Sequence, residues 1–170
     1  MSVAAHLRAD CAKCCGLCCV APAFDADQGF GFDKPAHTAC CHLDAQHRCA
    51  IHDQLRLRGF PACASFECYG AGQWVTQQLF AGKTWRTSPQ LAEQMFTLYR
   101  RVRVLHELMV LLELALRRVP PDDAAPLAKC LCDIREICAG EKDQIASLNE
   151  CAMRERVRHL LHTHLGPLLR

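Results

Sequence analysis

Ten of the chain's fourteen cysteines fall between Cys11 and Cys68, and the densest run is Cys11-Ala-Lys-Cys14-Cys15-Gly-Leu-Cys18-Cys19. Clustered thiolates are soft ligands that select zinc, iron–sulfur clusters or Cu(I) over hard cations. A disulfide framework is the competing use for so many cysteines, but it belongs to oxidising compartments. The start, Met1 to Asp10, lacks the apolar stretch of a signal peptide, so a cytoplasmic location with reduced thiols is expected. The adjacent pairs Cys14-Cys15, Cys18-Cys19 and Cys40-Cys41 also suit disulfides poorly, because neighbouring Cα atoms stand only about 3.8 Å apart. Metal ligation is the chemistry these residues support.

Positions 11, 14, 15, 18 and 19 follow an i, i+3, i+4, i+7, i+8 pattern. In a helix this pattern puts all five sulfurs on one stripe. One short helix cannot surround an ion, so further ligands are expected from Cys41, Cys49, Cys63 and Cys68, which sit beside small and turn-forming residues. His42 and His52 flank them as substitute or supporting ligands.

Several of these segments resemble a known family. Cys11 through Cys19, Lys34-Pro35, Cys41-His-Leu, Arg48-Cys49-Ala-Ile-His52 and Gly59-Phe-Pro-Ala-Cys63 are similar to the bacterial zinc- or iron-chelating cysteine-cluster domains, the CxxCxxCC or YkgJ-like family. Phe66-Glu-Cys68-Tyr-Gly-Ala-Gly72-Gln looks closer still to a subgroup found in front of pentapeptide repeats. The likeness covers roughly residues 8–86. It implies metal chelation, with Cys11, Cys14, Cys18, Cys19, Cys41, Cys49, Cys63 and Cys68 as the motif cysteines. Cys15 and Cys40 look additional. The spacing departs from CxxCxxCC in that Cys14 and Cys15 compete for one role. Some larger relatives that methylate flagellin lysines carry an iron–sulfur form of the cluster.

Other motifs fail on inspection. Cys11-x3-Cys15-x2-Cys18 has the spacing of radical enzymes that use S-adenosylmethionine, but those need a large array of βα units. Ala81-Gly-Lys-Thr84 ends like a phosphate loop, yet the required first glycine falls on Gln77. His159, His162 and His164 close a helix, where their charge suits the dipole. No Ser/His/Asp grouping or carboxylate pair stands out, so a non-catalytic role is expected.

The elements that would position the thiols divide near residue 86. Residues 1–86 hold ten cysteines and seven of the nine glycines, and read as short helices and loops organised by metal. Residues 87–170 read as three antiparallel helices. The first starts at Ser88-Pro89 and carries apolar residues at Leu91, Met95, Leu98, Val102, Leu105, Met109, Leu112, Leu116 and Val119, a heptad seam. A second row (Val104, Leu108, Leu111, Ala115) leaves room for a dimer contact. The second helix is expected from Ala124 to Ala139 and the third from Ser147 to Leu165, capped by Ser147-Leu-Asn-Glu150. The predicted fold is mainly α: a cysteine-cluster metal-binding domain at 1–86 and a helical domain at 87–170.

Net charge is +2 and aromatics are 6% of the chain, which speaks against a nucleic-acid groove or base-stacking platform. The most apolar stretch, Val102 to Leu116, is broken by Arg103, His106, Glu107 and Glu113, so no membrane span is expected. The partners expected are metal ions and a protein docked on the helical half. The function expected is zinc (or iron) chelation by a non-catalytic module. The alternatives are an iron–sulfur protein for electron transfer or support of a partner enzyme, and metal buffering or thiol redox sensing.

Overall fold

Ser88 begins the longest helix of the chain: its side chain accepts a hydrogen bond from the Leu91 amide at 3.2 Å, and Pro89 occupies the first helical position. In the computed structural model, which describes residues 4–166, this helix, α4, runs Pro89–Leu116. It follows three short helices: α1 (Leu17–Val20), α2 (Pro61–Ser65) and α3 (Ala71–Gln73). The last of these continues directly as a π-helix over Trp74–Leu79. After α4 come α5 (Pro121–Ala139), α6 (Lys142–Ala146) and α7 (Glu150–Leu165). Among the described residues there is no β-strand, only isolated bridges joining Phe24 to Lys34 and Leu43 to Cys49. The fold is mainly helical, with an irregular cysteine-rich first half, as expected.

Two local expectations are corrected. Residues 11–19 do not form one helix. Cys11–Lys13 is a 3-10 turn, Cys14 is extended at φ −112° and ψ 142°, and Gly16 is left-handed at φ 73°. A left-handed residue interrupts a right-handed helix, and glycine adopts it without strain. The five sulfurs therefore do not share a stripe. The cap of the last helix is Asn149, whose side chain accepts from the Ala152 amide at 3.0 Å. Ser147 instead ends α6, a helix the periodicity did not reveal.

Paired charges fix the helix directions. Arg101 and Glu107 on α4 meet Glu150 and Arg154 on α7 in the same order, so these two helices run the same way. Asp123 and Asp133 on α5 meet His164 and Arg156 on α7 in reverse order, so α5 and α7 are antiparallel.

Helix α4 is covered on several sides. The heptad positions Met95, Leu98, Val102, Leu105, Met109 and Leu112 are buried, and so are Val104, Leu108 and Ala115 of the second row. Leu111 is the exception at 42% exposed. A third row faces the cysteine-rich half: Phe96 packs near His37 and Trp85, Arg103 lies over Phe66, and His106 meets Tyr69. One continuous apolar core results. It joins Leu7, Leu17, Val20 and Val75 to Leu105, Ile134, Ile145 and Val157, crossing the change of composition near residue 86.

Candidate metal centre

The first cysteine loop is held from outside by one short helical face. Gln73, Thr76 and Gln77 are spaced i, i+3, i+4 and so point the same way. Gln73 accepts from the Asp10 amide and donates to the Arg8 carbonyl, and Gln77 donates to the Lys13 carbonyl. Thr76 Oγ1 accepts from the Cys15 amide at 3.2 Å and lies 3.4 Å from the Cys15 sulfur. Trp85 Nε1 donates to the Cys15 carbonyl at 2.8 Å. Cys15 is thereby turned into the apolar core. The left-handed Gly16 then reverses the chain, and Cys14, Cys18 and Cys19 fall on the other side.

That side is a cavity of about 410 Å³. Its wall carries Cys11, Cys14, Cys18, Cys19, Cys49, Cys63 and Cys68, seven of the eight cysteines expected as ligands. Of the competing Cys14 and Cys15, Cys14 lines this wall and Cys15 does not. Cys40 also lines the wall, whereas Cys41 is exposed and absent from it. The backbone explains Cys40: its amide donates to the Cys19 carbonyl at 2.9 Å, tying it to α1. His42, His47 and His52 stand on the same wall. None of the cysteines is paired in a disulfide. Cys130 and Cys138 are buried in the helical core, and Cys132 and Cys151 are exposed.

Apart from Arg48, which lowers Cys11 by its charge, the rest of the wall is apolar, with Phe24, Phe30, Leu55 and Phe60 prominent. Phe24 and Phe30 stack at 4.6 Å between ring centroids. Such a wall disfavours charge. Burial pushes the Cys14 thiol up to about 12 and the Cys63 thiol up to about 11, with neighbouring cysteines adding to both. Burial also raises Cys11, Cys40 and Cys49. The sulfurs of Cys18 and Cys19 lie 3.9 Å apart. Their mutual hydrogen bond raises Cys18 and lowers Cys19, and the charge of Lys34 lowers Cys19 further.

A cation sits beside these thiols. Lys34 is only 4% exposed, and its Nζ donates to the carbonyls of Pro22 at 2.6 Å and Pro35 at 3.0 Å. Burial lowers its pKa, while Cys40 and Cys19 pull it back up. The ammonium also lies 4.5 Å from the centre of the Phe24 ring. Lys34 lies within electrostatic reach of Cys19 and Cys40 and offsets negative charge there.

Two further features crowd the inner end. A Cβ built on Gly72 would lie 2.5 Å from the Cys14 sulfur and 4.0 Å from Tyr99 Cε2, so only glycine leaves the sulfur its place. Tyr99, on α4, is 2% exposed, and its hydroxyl has no hydrogen-bond partner among the described residues. A buried hydroxyl without a partner is costly. Burial, followed by the charges of Cys18, Cys68 and Cys14, raises its pKa.

The thiols share a wall without having closed on a point. Among the described residues, no three Cys, His, Asp or Glu side chains already stand as a set that could hold an ion.

No protein-family model and no solved structure matches the chain. Over 110 residues, 65% of its length, it is 46% identical to the uncharacterized protein YybG of Bacillus subtilis (strain 168), covering 39% of that protein. Over 43 residues, 25% of its length, it is 44% identical to the UPF0153 protein YeiW of Escherichia coli (strain K12), covering 51% of that protein. The chain thus spans about half or less of these relatives' lengths. Both are consistent with the cysteine-cluster resemblance.

Proposed function

We propose that this chain is a metal-binding module in which clustered cysteine thiolates chelate zinc, without catalysis of its own. The observation that carries this reading is eight cysteine side chains on the wall of one cavity, none of them paired in a disulfide. The donor set fits a soft or borderline cation. So do the space that Gly72 leaves for the Cys14 sulfur and the partnerless Tyr99 hydroxyl beside the same thiols.

Zinc would supply charge neutralisation and cross-linking there, without redox chemistry. The chain's own residues do the rest. Gln73, Thr76 and Gln77 hold the first loop, Lys34 offsets thiolate charge, and the phenylalanines exclude water. The reading extends to the subgroup of cysteine-cluster domains found before pentapeptide repeats, supported by Phe66 through Gln73. The surplus of ligands over one four-coordinate site supports a structural or regulatory part, with the helical half as the face for a protein partner. A cytoplasmic location, where thiols stay reduced, belongs to the same reading.

The test is anaerobic purification without added metal, followed by elemental analysis and visible absorption. Colourless protein carrying zinc is the expected result. A brown protein carrying iron and labile sulfide would replace zinc by an iron–sulfur cluster. Protein with neither metal, and disulfides among Cys11–Cys68, would overturn the reading.

A further inference from the structure

The eight thiols on the cavity wall are not one undivided set. Cys14, Cys18 and Cys68 pack against the apolar core that runs along α4. Gly72 and Tyr99 stand beside Cys14, and the cysteines that act most on the Tyr99 hydroxyl are Cys18, Cys68 and Cys14. Cys19, Cys40, Cys49 and Cys63 are absent from that core contact. They are gathered instead by the irregular segment between α1 and α2. The Cys40 amide binds the Cys19 carbonyl, the Leu43 amide binds the Cys40 carbonyl at 3.0 Å, and the Leu43–Cys49 bridge folds Cys49 back. On α2, Cys63 is brought in where the Ala62 amide bonds the Gly29 carbonyl at 3.0 Å.

Electrostatic neighbourhood follows the same division for Cys14 and Cys63, with Cys11 on the border. After burial, Cys63 is raised by Cys19, Cys40 and Cys49, whereas Cys14 is raised by Cys15 and Cys68. Cys11, which does not touch the core, is within reach of Cys68 on one side and of Cys19 and Cys49 on the other, and it completes the smaller group to four. The two groups meet at the consecutive Cys18 and Cys19.

Resting on the metal-binding reading above, we propose that the cavity holds two metal centres side by side. The inner one lies on Cys11, Cys14, Cys18 and Cys68 beneath Tyr99, and the outer one on Cys19, Cys40, Cys49 and Cys63 beside Lys34. Each group supplies the four thiolates of a tetrahedral site. The lone hydroxyl of Tyr99 finds its partner in a thiolate of the inner centre, because a metal-bound thiolate accepts a hydrogen bond and a neutral thiol accepts one only weakly. Lys34, at 4% exposed and with Cys19 and Cys40 acting on it, serves the outer centre in the same way through its charge.

The experiment is anaerobic titration of the metal-free, reduced full-length chain with Co(II), read by its thiolate charge-transfer absorption, alongside 113Cd NMR of the Cd(II)-loaded chain. Two equivalents of Co(II) and two cadmium resonances are expected. Cys68→Ser and Cys63→Ser should each lose one equivalent and a different cadmium resonance, with the helical circular dichroism retained. Tyr99→Phe should shift the charge-transfer band in the Cys63→Ser background and leave it unmoved in the Cys68→Ser background. One equivalent and one resonance in the unsubstituted chain would overturn the two-centre proposal while leaving metal binding intact. So would a single substitution that abolishes all binding in a chain still folded. No binding of either probe by the unsubstituted chain would instead remove the metal-binding reading itself. If the serine variants fail to fold, the two-resonance count in the unsubstituted chain decides the question alone.

Discussion

Acid should destabilise this protein through one buried histidine on α4. His106 is fully buried, its Nδ1 donates to the Tyr69 carbonyl at 2.7 Å, and its Nε2 has no partner. Burial pushes its pKa down to about 4 from an ordinary 6.5, and nearby His6 adds to the effect while the Tyr69 bond opposes it. The native state therefore holds His106 neutral over a range in which the unfolded chain protonates it. Stability from this group is complete above pH 6.5 and is lost as pH falls towards 4, because the unfolded state binds more protons there. Linkage between those two pKa values gives a loss of about 1.4 kcal/mol at pH 5.5 and about 2.5 kcal/mol at pH 4.5. Set against a typical domain stability of roughly 5–15 kcal/mol, this is a large fraction. His106→Asn keeps a donor for Tyr69 and cannot titrate. Urea unfolding of metal-free, reduced protein at pH 7.5, 5.5 and 4.5 isolates the effect, since other titrating groups are common to both chains. The stability advantage of the native chain over His106→Asn should shrink by those amounts. A difference constant with pH would refute the argument, and a difference growing in acid would mean that His106 is charged in the fold.

Other consequences can be measured separately. Leu105 is fully buried in the seam of α4, so Leu105→Ala should cost about 2–5 kcal/mol by denaturant unfolding, with unchanged mass by light scattering. Gly72→Ala would put a methyl group onto the Cys14 sulfur and should lower bound metal per chain, whereas Cys138→Ser, deep in the helical core, should leave it unchanged. Lys34→Met removes the cation beside Cys19 and strips the Pro22 and Pro35 carbonyls of their donor; metal affinity should fall roughly tenfold in a chelator competition. Removing metal under reducing conditions should speed amide exchange across residues 22–68. Those residues owe little to the main core apart from Cys68, so α4, α5 and α7 should stay protected.

The thiol chemistry was legible because cysteines are rare and were read by type and crowding, without any need for their local conformation. The same residues gave a false helix because i, i+3, i+4 spacing is only a pattern, and left-handed Gly16 breaks it in the middle. That Cys40 and not Cys41 lines the cavity was hidden for a related reason: adjacent residues differ only in which way the backbone turns them, and the Cys19 carbonyl holding the Cys40 amide is a long-range bond. Helix α4 was plain from its seam and its Ser88-Pro89 start. Its third face, Phe96, Tyr99, Arg103 and His106, mixes aromatic and charged residues and so carries no hydropathy signal, although the 3-4-3 spacing was there to see. Lys34 looked like a motif residue without a role, since charge gives no hint of burial until the carbonyls around it are known. Gln73, Thr76 and Gln77 could have been found as a polar helical face beside a loop that needed partners. The core that joins the two halves was hidden because Leu7, Leu17 and Val20 are isolated among cysteines and small residues.

Whether cysteine thiolates of the first half bind metal together is decided by X-ray absorption at the metal edge of anaerobically purified protein. A first shell made of sulfur is expected, at about 2.3 Å for zinc, disappearing together with the metal when Cys18→Ser and Cys63→Ser are combined. A first shell of nitrogen and oxygen, or a chain that carries no metal while Cys11–Cys68 remain reduced, would contradict it.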